Sequence, residues 1–299
     1  VVPALYTAVN AFTEPWDGVI MMTPVYYPFY MAVEKNGRKV VGSGLIERDG
    51  RYYIDFDDLE KKAKDPKNKL VFFCSPHNPV GRGWDRDEIE RFGKICIENG
   101  VQVISDEIHF DLILPGHKHT VYSTISPEFA ETAIVCTAPS KTFNLAGMQT
   151  SNLVIKNPDI RKRFTEALDR TGFFTLNTLG YAACEIAYTR CEKWLEELLA
   201  VLDRNRVTVE EYMKKHIPKI KVFKLEGTYL QWWDCRELGM GHEELEQFMI
   251  KEALLFLDEG YIFGKQGEGF ERINLACPTE TLVEALDRLR DALKKKGVV

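Results

Sequence analysis

This sequence of 299 residues lacks the features that would place it in a membrane or on a polyanion. Its longest apolar runs, such as 253–257, fall far short of the roughly 20 residues that a spanning helix needs. It has no basic surplus: 39 Lys and Arg stand against 45 Asp and Glu, a formal net charge of −6. That excludes the electrostatic footprint of a nucleic-acid binder or an anionic-membrane binder. No charged, then apolar, then small-residue pattern opens the chain, so no secretory leader is expected. Internal repeats and Ser/Gly-rich linkers are missing. Cysteine is present, but not as a framework. The seven residues (Cys74, Cys96, Cys136, Cys184, Cys191, Cys235 and Cys277) are odd in number and widely spaced, with no C-x-x-C pair. This points to reduced thiols in a cytoplasmic protein. His117 and His119 lie two apart in a Gly-containing loop with no third ligand nearby, which reads as a solvated loop, and no metal is expected.

What is there is ordinary globular material, 45% hydrophobic and 28% charged, which rules out a disordered chain. Short apolar strands are predicted at 18–22, 38–42, 70–74, 101–105, 133–137 and 151–155. Helices are predicted at 55–64 and at 85–99, the latter closed by Gly100. Alternation of this kind implies an α/β fold with a mostly parallel, doubly wound sheet. The second half differs. Residues 176–216 are almost wholly helical in pattern, with one long helix at 191–216. Strands at 219–224, 228–234 and 270–275 and helices at 242–252 and 280–296 then form a smaller C-terminal α+β domain. The boundary is placed inside the long helix, giving domains 1–195 and 196–299.

In such a sheet, ligands sit beyond the carboxyl ends of the strands. Three strands here run into unusual polar groups. Strand 70–74 leads to Asn78-Pro79-Val80-Gly81, 101–105 to Asp106-Glu107-Ile108-His109, and 133–137 to Ser140-Lys141-Thr142-Phe143-Asn144. Singly, each has a plainer reading: a turn at Asn78-Pro79, a helix cap at Asp106, a surface lysine, a satisfied buried histidine. Their joint order at successive strand ends favours a site.

Ser140-Lys141-Thr142-Phe143-Asn144-Leu145-Ala146-Gly147 resembles the cofactor-lysine motif of the pyridoxal-phosphate-dependent class I/II aminotransferases, fold type I. Asn78-Pro79-Val80-Gly81 resembles their N-P-x-G loop, and Asp106-Glu107-Ile108-His109 their D-E-x-Y/H segment. Gly269-Phe270-Glu271-Arg272-Ile273-Asn274 resembles their carboxylate-binding segment. The likeness runs along essentially the whole chain and is nearest to the cystathionine β-lyase, or C–S lyase, branch.

The resemblance implies pyridoxal 5'-phosphate as cofactor. Lys141 would join its aldehyde and then take the substrate's α-proton, which requires an amine of lowered pKa. Asp106 would pair with the ring nitrogen and keep it protonated. Asn78 would donate to the ring oxygen, with His109 where transaminases usually carry Tyr. Ile108 and Tyr26 would cover the two ring faces, with Tyr27 a competitor for the second role. Ser140 and the backbone of Val1 and Val2, at a turn opening a helix, would bind the phosphate. Many transaminases place Arg eight residues after the lysine; here Gln149 stands there. Arg272 would grip the substrate α-carboxylate in a bidentate pair, its plainer reading being an exposed charge on an edge strand. Relatives carry several dozen further residues before this point, including an arm and a tyrosine reaching the neighbouring subunit's phosphate. The chain is therefore expected to start partway into the large domain of a homodimeric enzyme.

The activity implied is α,β-elimination from cystathionine or a related small sulfur amino acid. An aminotransferase on the same scaffold and a non-catalytic or truncated binding domain are the alternatives. His109 and Gln149 favour the lyase. Trp232 and Trp233 read as core packing more than as a substrate entrance.

Overall fold

The computed structural model describes residues 1–173 and 175–299. In chain order its first strands are β1 (Gly18–Thr23), β2 (Lys39–Gly44), β3 (Ile46–Arg48), β4 (Arg51–Tyr53), β5 (Asn68–Cys74), β6 (Gln102–Asp106), β7 (Ala133–Thr137) and β8 (Asn152–Val154). β3 and β4 make a small hairpin. The other six form one sheet in the order β2-β1-β5-β6-β7-β8, parallel throughout except for the β7–β8 pair. The helices around it are α1 (Val2–Phe12), α2 (Pro28–Glu34), α3 (Phe56–Ala63), α4 (Arg86–Glu98), α5 (Pro127–Thr132), α6 (Pro139–Thr142) and α7 (Pro158–Asp169).

Local chemistry sets the helix ends. Asp55, Ser126 and Asn157 accept the amides of Asp58, Phe129 and Ile160 and so cap α3, α5 and α7. Gly100 ends α4 at φ +65°, a conformation glycine reaches without a Cβ clash. Strand alternation then divides the core. Ile20, Met22, Val71 and Phe73 point to a cluster closed by Leu59 of α3 and Ile89 and Phe92 of α4. Val19, Met21, Leu70 and Phe72 point the other way, against Leu5, Phe29 and Phe164 of α1, α2 and α7. Both faces are covered, which is why these strands are nearly continuous apolar runs.

The rest of the chain holds α8 (Thr178–Arg190), α9 (Glu192–His216), α10 (His242–Lys251) and α11 (Thr279–Lys295). It also holds β9 (Lys221–Val222), β10 (Leu230–Asp234), β11 (Asp258–Glu259) and β12 (Phe270–Asn274), an antiparallel sheet ordered β11-β12-β10-β9. The helical stretch breaks at Cys191 between α8 and α9, and α9 crosses residue 195 unbroken. The strand expected at 219–224 shrinks to β9: before it the Ile220 amide turns back to Ile217 O at 3.0 Å, and after it the Phe223 amide makes the last donation to β10, to Trp232 O at 3.0 Å. Trp233 faces the helices α9–α11, while Trp232 stacks on Phe270 with centroids 5.1 Å apart. Both indoles are buried, as core residues. All seven cysteines are free, four of them buried. Among the described residues no helix is long and apolar enough to cross a membrane.

Candidate active site

The carboxyl ends of β5, β6 and β7 lie side by side, with Asp106 in register between Cys74 and Cys136. The residues beyond those ends open onto a cavity of about 880 Å³. Lys141, Asp106, Tyr26, Asn78, His109, Ile108, Ser140, Val1, Val2 and Arg272 all line it. The fold therefore gathers residues from both ends of the chain at the edge where the parallel strands stop.

Lys141 sits on the single turn α6 directly after β7 and is half-buried. Burial first, then the Arg272 guanidinium, hold its ammonium below the usual lysine range, against the pull of Asp106. Asp106 is 5% exposed, and its Oδ1 accepts the Ile108 amide at 3.2 Å. Burial pushes its carboxyl up to about 6. Burial, then Lys141 and Arg272, push the His109 imidazole down to about 3, so the ring is neutral near neutral pH. Its Nδ1 is buried and has no partner among the described residues.

Arg272 is no edge charge. It lies on β12, an inner strand, and is 8% exposed. Nη1 donates to Asn78 Oδ1 at 2.7 Å and Nη2 to Asp258 Oδ2 at 2.5 Å, and the Phe263 ring lies 4.7 Å from the guanidinium. Since Asn78 commits Oδ1 to Arg272, its Nδ2 is left to donate into the cavity. Tyr26 donates its amide to Asn78 O at 3.1 Å. Burial and the neighbouring Tyr27 push its phenol up to about 12, and Arg272 and Asp106 act on it too. Tyr27 also lines the cavity, 5.2 Å from Tyr26 by centroid. At the opposite wall α1 begins at Val2 behind Val1, whose nitrogen donates to Ser151 Oγ at 2.6 Å. Gln149 lines this wall with a left-handed backbone, φ +51°.

Several neighbours were not singled out from the sequence. Tyr229 meets His109 edge-on at 5.7 Å, and Asp258 pairs with Arg272. Neither sits in a recognisable local pattern; only the pairing of β10, β11 and β12 brings them in. His119 is not a solvated loop residue: its Nε2 lies 2.7 Å from Oε2 of Glu107, which is fully buried. Glu107 Oε1 also accepts from Ser105 Oγ at 2.8 Å and the Tyr122 amide at 3.0 Å. That network lies directly behind Asp106.

As a donor set, the cavity suits a flat, phosphorylated aromatic aldehyde. It offers an amine of lowered pKa, a buried carboxyl, an uncommitted amide N–H₂ and a hydroxyl near a helix start, with the neutral His109 ring in its wall. Comparison with known proteins agrees. The family model described as Aminotransferase class I and II matches residues 2–289. Cystathionine beta-lyase PatB of Bacillus subtilis is 45% identical over 293 residues, covering 98% of this chain and 76% of that protein. The crystal structure of cystalysin from Treponema denticola, which contains pyridoxal 5'-phosphate, is 53% identical with a TM-score of 0.97, covering 99% of this chain and 75% of that one. The pyridoxal-phosphate-bound C–S lyase from Staphylococcus hominis is 34% identical with a TM-score of 0.91, covering 98% and 74% respectively.

Proposed function

The chain belongs to the class I and II aminotransferase family, and from that premise we propose that it is a pyridoxal-phosphate-dependent C–S lyase acting on a small sulfur amino acid. The observation that carries the reading is the cavity itself, whose wall brings together the Lys141 amine, a buried carboxyl, Asp106, and a buried guanidinium, Arg272, both of which act on its charge. The lyase branch is supported by its relatives and by His109 and Gln149 at positions where transaminases usually differ.

Lys141 would hold the cofactor's aldehyde carbon, Asp106 its ring nitrogen, and Asn78 Nδ2 with His109 its ring oxygen. Ile108 and Tyr26 would cover the ring faces. Ser140 and the backbone of Val1 and Val2, at the positive end of α1, would hold the phosphate. When bound, the cofactor supplies an electron sink conjugated to the substrate's Cα. Everything else falls to side chains. Arg272 presents its fork to the α-carboxylate and so fixes which bond at Cα stands beside Lys141. Lys141 Nζ, whose ammonium burial and Arg272 make easier to deprotonate, takes the α-proton. The β-thiolate leaves with the C–S electron pair and gains a proton. Overall, cystathionine and one water give homocysteine, pyruvate and ammonia.

The exposed apolar side chains Leu179 (70% exposed) and Ile186 (47%), seven residues apart on one side of α8, support a homodimer. The free cysteines support a cytoplasmic location. The test is pyruvate release from L-cystathionine by the holoenzyme with no 2-oxo acid present. We expect release that disappears in Lys141→Ala. Turnover only when a 2-oxo acid is added would make the protein an aminotransferase.

A further inference from the structure

Arg272 is braced from two sides whose settings differ. Asn78, on Nη1, is 5% exposed. The Asp258 side chain, on Nη2, is 44% exposed. Asp258 stands opposite Arg272 in register on the two-residue strand β11, and it lines the same cavity. Only its Oδ2 is engaged: Oδ1 accepts no hydrogen bond among the described residues. The cavity's other carboxyl, Asp106, is buried at the end of β6. One carboxylate oxygen thus remains uncommitted beside the group that grips the substrate, on the solvent-facing part of the wall.

That arrangement has two consequences. A guanidinium tied at Nη1 and Nη2 cannot swing, so its remaining N–H groups keep a fixed direction. The wall next to the substrate also carries a negative group that Arg272 offsets on one oxygen only. A substituent ending in an anion meets repulsion there, and one ending in an ammonium finds an acceptor.

We propose that Asp258 is a positioning and specificity-determining residue: it aims Arg272 through Oδ2. Through Oδ1 it selects sulfur amino acids whose substituent is neutral or carries an ammonium over those whose substituent ends in a carboxylate. The inference rests on the C–S lyase reading.

Three substrates that differ in the charge on sulfur's far side test it: S-methylcysteine, S-(2-aminoethyl)cysteine and S-carboxymethylcysteine. Each takes up one water and yields pyruvate, ammonia and its own thiol. Pyruvate release is measured for the wild-type holoenzyme, Asp258→Asn and Asp258→Glu. In Asp258→Asn, kcat/KM for the carboxymethyl substrate relative to the aminoethyl substrate rises about three- to tenfold, as a half-exposed charge permits. The intrinsic difference between leaving groups cancels in that comparison. With S-methylcysteine the variant shows a raised KM alone, the mark of a loosened Arg272. Asp258→Glu restores the wild-type ratio. An unmoved ratio with pyruvate still formed overturns the proposal and leaves the lyase reading standing. No pyruvate from any of the three with wild-type enzyme overturns both. Asp258→Ser gives the same readout if Asp258→Asn does not fold.

Discussion

Glu271 neighbours Arg272 on β12 but points to the opposite face, the one that Trp233 and Ile273 share with α9–α11. It is 1% exposed and its Oε2 has no partner among the described residues. Burial first, then Glu259, Glu246 and Asp258, push its carboxyl from 4.5 up to about 8. A carboxyl with a raised folded pKa holds its proton better in the native state than in the unfolded one. Its stabilisation is therefore complete below about 4.5 and is lost as pH rises through about 8. Between those values each pH unit removes up to about 1.4 kcal/mol. An unfolding entropy of about 2.1 cal/mol/K per residue makes about 0.6 kcal/mol/K for this chain, so the loss is worth about 2 °C in Tm per pH unit. Glu271→Gln keeps the shape and removes the titration. Asp58, Asp234 and Glu226, whose carboxyls are held low, carry the opposite sign and lose stability as pH falls. The quantity to read is thus the difference between wild type and variant, by thermal unfolding in one cofactor state. The variant should gain on the wild type by about 6 °C between about pH 5 and about pH 8. Parallel curves across that range would refute the assignment of a neutral Glu271. Loss of activity above that range should then track loosening of the strand that carries Arg272.

Two other changes separate binding from stability. Arg272→Lys removes the planar fork while keeping the charge, and forfeits a charge-assisted hydrogen bond worth about 1.5–3 kcal/mol. We expect kcat/KM to fall between about tenfold and about a hundredfold, mostly through KM; a KM within a factor of about two of wild type would sink the carboxylate role. Glu226 is fully buried, pairs with Arg82 and with Arg51 Nε at 2.7 Å, and accepts the Gly83 amide at 3.0 Å. Glu226→Gln takes one of two carboxylates from the Arg82 guanidinium, itself 1% exposed, leaving Glu88 on Nη2, and takes Arg51 Nε's partner as well. Urea unfolding should show a loss of about 1.5–3 kcal/mol, the worth of a charge-assisted hydrogen bond; a change below about 0.5 kcal/mol would mean that Glu88 and water replace the pair.

The parts of this protein that depend on neighbours in sequence were legible from sequence. Strand alternation, the helix stop at Gly100 and the three polar segments after β5, β6 and β7 are written within a few residues each, and their order at a sheet edge points to one ligand site. Arg272 could be singled out for the same reason, since it stands in a contiguous segment. The sequence left Tyr26 and Tyr27 as rivals, and both prove to line the cavity. What surrounds Arg272 has no such local record. Asp258, fourteen residues before it, is one acid among many until β11 pairs with β12. His119 is a loop histidine until the fold lays it against Glu107. Glu226 and Arg82, 144 positions apart, meet only when the segment before β10 packs against the loop after β5. Burial, and with it every shifted pKa in the cavity, is likewise a property of that packing. Short-range pattern determines which backbone each segment adopts and which chemical groups it carries; water exclusion and charge pairing act through space, so the assembled structure alone decides how those groups behave.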